Sequence, residues 1–201
     1  MIRPVDIIIH QDWDDIRKLY NIASTILANS PKKTLSLNEN YYPGLTYDFG
    51  DRGQFSLDTD GALSKDWGFL LGDIINSKFP WHQQADQIFS ALDLGAINFS
   101  IHYTSIARHI DGKDNQQLER CNLNYIIACE DPNAVTISLD ANDPNKSYSY
   151  PSIPTTAWLL DPDLPHEIHC EGRREILQFR FNKSYQTVSD FLDNYGPIIL
   201  G

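Results

Sequence analysis

Cysteine is scarce in this chain, and its copies form no framework. Cys121, Cys129 and Cys170 are odd in number and lack any C-x-x-C spacing. That excludes a zinc ribbon or a disulfide scaffold and fits a reducing, cytoplasmic setting. Long apolar runs are also missing: none approaches the roughly 18 residues of a membrane-spanning helix. The opening residues Met1-Ile2-Arg3-Pro4-Val5-Asp6 lack the charged-then-apolar order of a secretory signal. A soluble intracellular protein with no membrane attachment is therefore expected. Positive charge is short too, with 16 Lys and Arg against 27 Asp and Glu and a formal net charge of -11. The compact basic pairs are Lys32-Lys33 and Arg173-Arg174. A surface this acidic repels phosphate backbones and argues against a nucleic-acid substrate. Internal repeats, low-complexity tracts and obvious linkers are absent as well.

What is present is ordinary globular material. With 201 residues, 41% of them hydrophobic and 11% aromatic, the chain is long enough to bury a core as a single domain, 1–201. Residues 12–29 carry Trp13, Ile16, Leu19, Tyr20, Ala23, Ile26 and Leu27 at helical spacing, with Pro31 closing the pattern. Residues 45–57, broken by Gly50-Asp51-Arg52-Gly53, read as a hairpin. Ser64 can cap a second helix running to Asn76, and 85–92 suggests a third.

From Ala96 the pattern becomes strand, turn, strand. The segments are 96–103, 106–111, 121–129, 134–139, 156–160, 167–170 and 174–181, with Asp131-Pro132-Asn133, Asn142-Asp143-Pro144-Asn145 and Glu171-Gly172 as turns between them. Short strands at this spacing predict a sandwich or barrel. Ser184 caps a closing helix over 185–195. The expected class is α+β: 1–95 forms helical and hairpin support, 96–182 a small β-barrel, and 183–201 the C-terminal helix.

Two short motifs carry chemistry. Arg108-His109-Ile110-Asp111-Gly112 contains a His-x-Asp pair, and Asp161-Pro162-Asp163-Leu164-Pro165-His166 supplies one distant histidine. Side chains two apart on a strand share a face, so His109 and Asp111 can grip one ion together. With His166 they make the two-His-one-carboxylate set that holds Fe(II) and leaves positions open. Strand parity allows only one of His166 and His169 to face such a site. The preceding Pro165 and the Asp161 turn favour His166. His10 is expected on the surface, His82 in a structural role, and His102 as a secondary substrate-site candidate. The polar stretch 112–119 is placed to act as a lid.

Two strands also carry polarity where a plain core has none. Arg120, Asn122 and Asn124 alternate with Leu123, Tyr125 and Ile127. Arg174, Ile176, Gln178 and Arg180 alternate with Leu177, Phe179 and Phe181. Such faces are either solvent-exposed or line a polar cavity, where arginine can hold a carboxylate bidentately. Trp81 and Trp158 read as core.

The segment from Ala157 to Glu167, followed by Arg174-Glu175-Ile176-Leu177-Gln178-Phe179-Arg180-Phe181, resembles the C-terminal half of Fe(II)/2-oxoglutarate-dependent oxygenases. The similarity is greatest to the aspartyl/asparaginyl β-hydroxylase and bacterial proline hydroxylase branch. Asn98-Phe99-Ser100-Ile101 resembles the family's strand before the metal motif, and residues 120–127 the strand after it. The presence of Asp111 moves the match toward the proline hydroxylases, because some β-hydroxylases lack that carboxylate.

The resemblance implies a double-stranded β-helix, the cupin or jelly-roll barrel, buttressed by N-terminal helices. It implies Fe(II) on His109, Asp111 and His166. It also implies 2-oxoglutarate with its far carboxylate on Arg174, and Ser100, Arg120 and Asn122 as further contacts. Asn98 and Asn124 are weaker candidates, and Asp161 is a turn-former. Arg174 stands closer to His166 than the family usually has it, so Arg180 is an alternative anchor. The implied activity is hydroxylation of a free amino acid or a peptide residue with O2 as co-reactant and succinate and CO2 as co-products. Three alternatives remain: a metal-binding cupin that does not turn over 2-oxoglutarate, a nucleic-acid demethylase of the same superfamily, and a non-enzymatic jelly-roll interaction module.

Overall fold

The computed structural model describes residues 2–18, 80–103, 105–110, 120–143 and 145–201, together with four short strands between 34 and 56. In chain order the strands begin with β1 (Ile2–Val5), β2 (Ile7–Ile9), β3 (Thr34–Ser36), β4 (Tyr41–Tyr42), β5 (Tyr47–Asp48) and β6 (Gln54–Ser56). Helix α1 (Pro80–Ile88) and a 3-10 turn, Ser90–Leu92, follow. Next come β7 (Leu94–His102), β8 (Ile106–His109), β9 (Cys121–Cys129), β10 (Val135–Leu139) and β11 (Ser147–Pro151). β12 (Ala157–Leu160), β13 (His166–His169), β14 (Arg174–Phe181), helix α2 (Tyr185–Tyr195) and β15 (Ile198–Leu200) complete the described elements. A helical segment occupies 13–18.

Two antiparallel sheets dominate: a five-stranded sheet in the order β1-β12-β9-β14-β7 and a four-stranded sheet in the order β11-β10-β13-β8. From β7 to β14 the chain keeps changing sheet, with β7, β9, β12 and β14 in the larger one and β8, β10, β11 and β13 in the smaller. Helices and strands together make the α+β class expected above.

The larger sheet has two different faces because its strands alternate with a period of two. One face carries Leu177, Phe179 and Phe181 of β14, Leu123 and Tyr125 of β9, and Ile97, Phe99 and Ile101 of β7. These pack with Ile16, Trp81, Ala85 and Phe89, and with Val188 and Leu192 of α2. Phe89 meets Phe179 and Phe181 edge-on at 5.6 and 5.2 Å, the arrangement the ring quadrupoles favour. The opposite face carries a smaller cluster, Ile2, Ile126, Trp158, Leu160 and Ile176, with Tyr148 and Tyr150 of β11 against it. Tyr150 stacks on Trp158 at 5.1 Å, so this cluster joins the two sheets.

α2 starts where its cap requires. Ser184 Oγ accepts from the Thr187 N–H at 3.2 Å, and Gly196 ends the helix at φ 84°, its N–H reaching the Leu192 carbonyl. The turn from β13 to β14 is short because Gly172 takes φ 129°, a conformation side chains disfavour. β14 therefore begins directly at Arg174.

Several expectations need correction. Residues 47–48 and 54–56 do not pair with each other as a 45–57 hairpin; β4 pairs with β5 and β3 with β6. Of the 12–29 helix the described part is 13–18; the remainder and the 64–76 helix lie outside the described residues. The 85–92 helix is the end of α1 plus the 3-10 turn. β11 was not foreseen: its Ser-Tyr-Ser-Tyr-Pro alternation has no aliphatic residue, and it can end in proline because it is an edge strand. The short strands β1, β2 and β15 also escaped a periodicity reading. The last two form a parallel ladder between the chain's two ends.

Candidate functional site

His109 closes β8 and His166 opens β13, and the two are register partners in the smaller sheet. Their rings stand 4.3 Å apart between centroids, inclined at 56°. Each is oriented the same way. Nδ1 of His109 donates to the Ala107 carbonyl at 2.8 Å, and Nδ1 of His166 donates to the Leu164 carbonyl at 2.9 Å. Placing the proton on Nδ1 puts the lone pair of each ring on Nε2, the tautomer a metal ion needs. His166 is buried at 5% exposure. His169, on the other face of β13, is exposed and reaches Glu167 at 3.4 Å, so it is His166 that lies beside His109.

Asp111, the expected carboxylate, lies outside the described residues, as does the 112–119 stretch. Among the described residues no group of three or more His, Cys, Asp or Glu side chains gathers at metal-holding geometry. The donor set still fits a divalent first-row metal. Two imidazoles are oriented at one sheet end, and a carboxylate follows two residues after the first.

Arg174 is the second unusual group. It begins β14 on the inner face, is 1% exposed, and its Nε and Nη1 have no hydrogen-bond partner. Its guanidinium lies over the Trp158 ring at 5.7 Å. Burial lowers its pKa to about 10, and among the described residues the groups acting on it are Cys170 and Cys129, with no carboxylate. A buried guanidinium with no counter-ion among the described residues is costly, and an anion placed beside it would offset that cost.

The row across the sheet at this level is His102 on β7, Arg174 on β14 and Cys129 on β9. His102 Nε2 lies 3.2 Å from Ser100 Oγ. Burial, then the Arg174 charge, pushes the His102 pKa down to about 4, so the ring is neutral at pH 7. Burial raises the Cys170 thiol to about 11, with Cys129 adding to the shift.

The polar residues of β9 and β14 are inside, not on a solvent face. Asn122 and Asn124 are 2% and 4% exposed, and Gln178 Nε2 donates to Asn124 Oδ1 at 2.9 Å. Arg180 is opposite Asn122, and Arg120 is half-buried just ahead of β9. Arg174 and Arg180 are six residues apart on one strand, about 20 Å at 3.3 Å per residue. They cannot hold the same carboxylate. Asp161 forms its expected turn, accepting from the Asp163 N–H at 3.1 Å. Trp81 is core, bonded through Nε1 to Gln11, whereas Trp158 serves both the inter-sheet cluster and Arg174. His82 is buried against Asp86, and His10 is exposed. For Asn98 the strand position alone is described.

Sequence reasoning missed the surroundings of Arg174. The parity that joined Arg174 to Gln178 also joins His102 to Ser100, but the cross-strand register between the pairs is not written locally. It also missed Glu175, 1% exposed on the helix-covered face, which takes Arg17 through Nε at 2.9 Å and Nη2 at 2.7 Å and is contacted by Arg173 as well. No helix of the described residues is long and apolar enough to cross a membrane.

No family model matches the chain, and no curated protein does. Solved structures match weakly. An oxidoreductase of the 2OG-Fe(II) oxygenase family from Burkholderia pseudomallei aligns at TM-score 0.37 and 10% identity over 45% of each chain. A prolyl-4-hydroxylase from Pseudomonas putida aligns at 0.36 and 13% over 51% of this chain and 61% of its own. SnoN, a non-heme α-ketoglutarate-dependent epimerase from nogalamycin biosynthesis, aligns at 0.45 and 10% over 90% of this chain and 76% of its own. The match thus spans about half the length of the first two structures. At these scores the likeness carries no argument about function, which rests on the site's own geometry.

Proposed function

We propose that this chain is an Fe(II)- and 2-oxoglutarate-dependent dioxygenase that hydroxylates an amino acid or a peptide residue. In this reading residues 1–201 act as one unit, the two sheets form a double-stranded β-helix, and the chain is of the aspartyl/asparaginyl β-hydroxylase and bacterial proline hydroxylase type. The observation that carries it is the His109–His166 register pair, both rings turned by backbone carbonyls to offer Nε2. The uncompensated Arg174 guanidinium supports the same reading.

Each residue has a distinct task. His109, Asp111 and His166 hold the metal. Arg174 takes the far carboxylate of 2-oxoglutarate, its charge matched once that carboxylate arrives. Ser100 lines the inner face around the cosubstrate, and Asn122, Arg120 and Arg180 sit at the other end of that face, toward the substrate. When bound, Fe(II) and 2-oxoglutarate supply O2 activation, with succinate and CO2 as co-products. The protein selects the C–H bond by position, and the Asn-, Gln- and Arg-rich inner face suits a substrate bearing carboxylate or amide groups. The acidic surface, net charge -11, disfavours nucleic acid. Three free thiols suit a reducing cytoplasm.

The test is uncoupled turnover. Purified protein with Fe(II), 2-oxoglutarate and air, without a prime substrate, is expected to release succinate, and His109→Ala to release none. Metal binding without 2-oxoglutarate binding, measured calorimetrically with Mn(II) in the absence of O2, overturns this reading in favour of a cupin that does not turn over 2-oxoglutarate.

A further inference from the structure

His102 shares its row with the buried guanidinium that the proposed function uses. Register places it directly opposite Arg174, on the inner face, with Ser100 Oγ 3.2 Å from its Nε2. The ring is densely surrounded yet keeps partial solvent access, so a proton can reach it. Among the described residues Arg174 on β14 is the charged group acting on it. Ser100 is its neighbour on β7, and Cys129 on β9 and Cys170 in the turn after β13 stand beyond Arg174.

We propose that His102 is a second ligand-facing group of the anion site, and that it takes up a proton when a carboxylate binds on Arg174. This deepens the proposed function and rests on it. In the free protein His102 is held neutral by burial and by the adjacent positive charge. A carboxylate on Arg174 cancels that charge and adds a negative one beside the ring, and both changes favour the imidazolium. The His102 pKa then climbs back toward the ordinary imidazole range. Linkage fixes the sign. The complex binds more protons than the free protein, so affinity falls as pH rises through the bound-state pKa and levels off above it. His102 therefore tunes cosubstrate affinity to pH while taking no part in metal binding.

The experiment is calorimetric titration of 2-oxoglutarate into the Mn(II)-loaded protein without O2, from pH 6.5 to 8.5, in two buffers of different ionisation enthalpy. For the wild type we expect up to about half a proton taken up at pH 6.5, vanishing by pH 8.5, with affinity weakening about twofold across the range. His102→Gln keeps a polar donor of similar size but cannot titrate. It is expected to bind 2-oxoglutarate with no proton uptake and a flat pH profile. Tight binding by the wild type without proton uptake overturns the role of His102 and leaves the proposed function standing. Uptake that persists in His102→Gln does the same. No binding of 2-oxoglutarate by the wild type at any pH overturns the proposed function itself, and this inference with it.

Discussion

Arg108 and Glu167 close a two-point ion pair, Nε to Oε2 at 3.2 Å and Nη2 to Oε1 at 2.9 Å. It lies on the face of β8 and β13 opposite the one bearing His109 and His166. The ladder between these strands is irregular, with a register shift between His166 and Ile168. The pair spans that irregularity one residue from each histidine, and it holds the Glu167 carboxyl below the usual range.

The pair should matter more to the site than to the fold. Arg108 is half exposed, so Arg108→Ala is expected to lower stability by less than about 1 kcal/mol. Co(II) affinity, followed by its absorption spectrum, is expected to fall about tenfold, the usual effect of a lost supporting contact. The exchange Arg108→Glu with Glu167→Arg should recover much of it. Unchanged Co(II) affinity in the single variant would remove the pair's positioning role.

Arg174 predicts opposite effects on stability and binding. Arg174→Met keeps the packing on Trp158 and removes an uncompensated buried charge. The ligand-free protein should then gain about 1 kcal/mol or more in denaturant unfolding. Its affinity for 2-oxoglutarate should fall about a hundredfold, the scale of a lost buried charge pair. A variant that loses stability and keeps its affinity would show that the arginine is structural.

Glu175 is the structural counterpart on the other face of β14. It is 1% exposed and holds Arg17 and Arg173, tying the helical segment at 13–18 to the sheet. Glu175→Gln leaves those cations without their carboxylate and should cost about 3 kcal/mol, read as a lowered Tm. Succinate formation below the transition should persist, because this face does not line the proposed site.

Acid sensitivity follows from His102 and His82, both shifted down by burial first. A histidine whose folded pKa is depressed binds its proton more readily when unfolded. Its contribution is therefore complete above the unfolded value of 6.5 and is lost as pH falls, for His102 down to about 4. His102→Gln should flatten the fall in stability across that window by up to about 3 kcal/mol, with the remaining slope belonging partly to His82. Identical slopes in the two proteins would show that His102 is not buried neutral.

Local signals reached far into this fold. β9, β14 and α2 have the limits that alternation, the Gly172 turn and the Ser184 cap predict. The same parity placed Arg174, Gln178, Asn122 and Asn124 on one face, and put His166 and His169 on opposite faces. It failed where strands are short or carry no aliphatic residues, as in β11 and the segments between 34 and 56, because there the neighbour decides the strand.

By itself the sequence determined which residues can share a face, since that depends on the two-residue repeat of a single strand. It could not determine which faces meet. That His109 stands beside His166, that His102 lies opposite Arg174, and that no carboxylate among the described residues answers the guanidinium are properties of register and sheet packing. Hydrogen-bond ladders between strands far apart in the chain set them, and the cost of burying a charge makes them consequential.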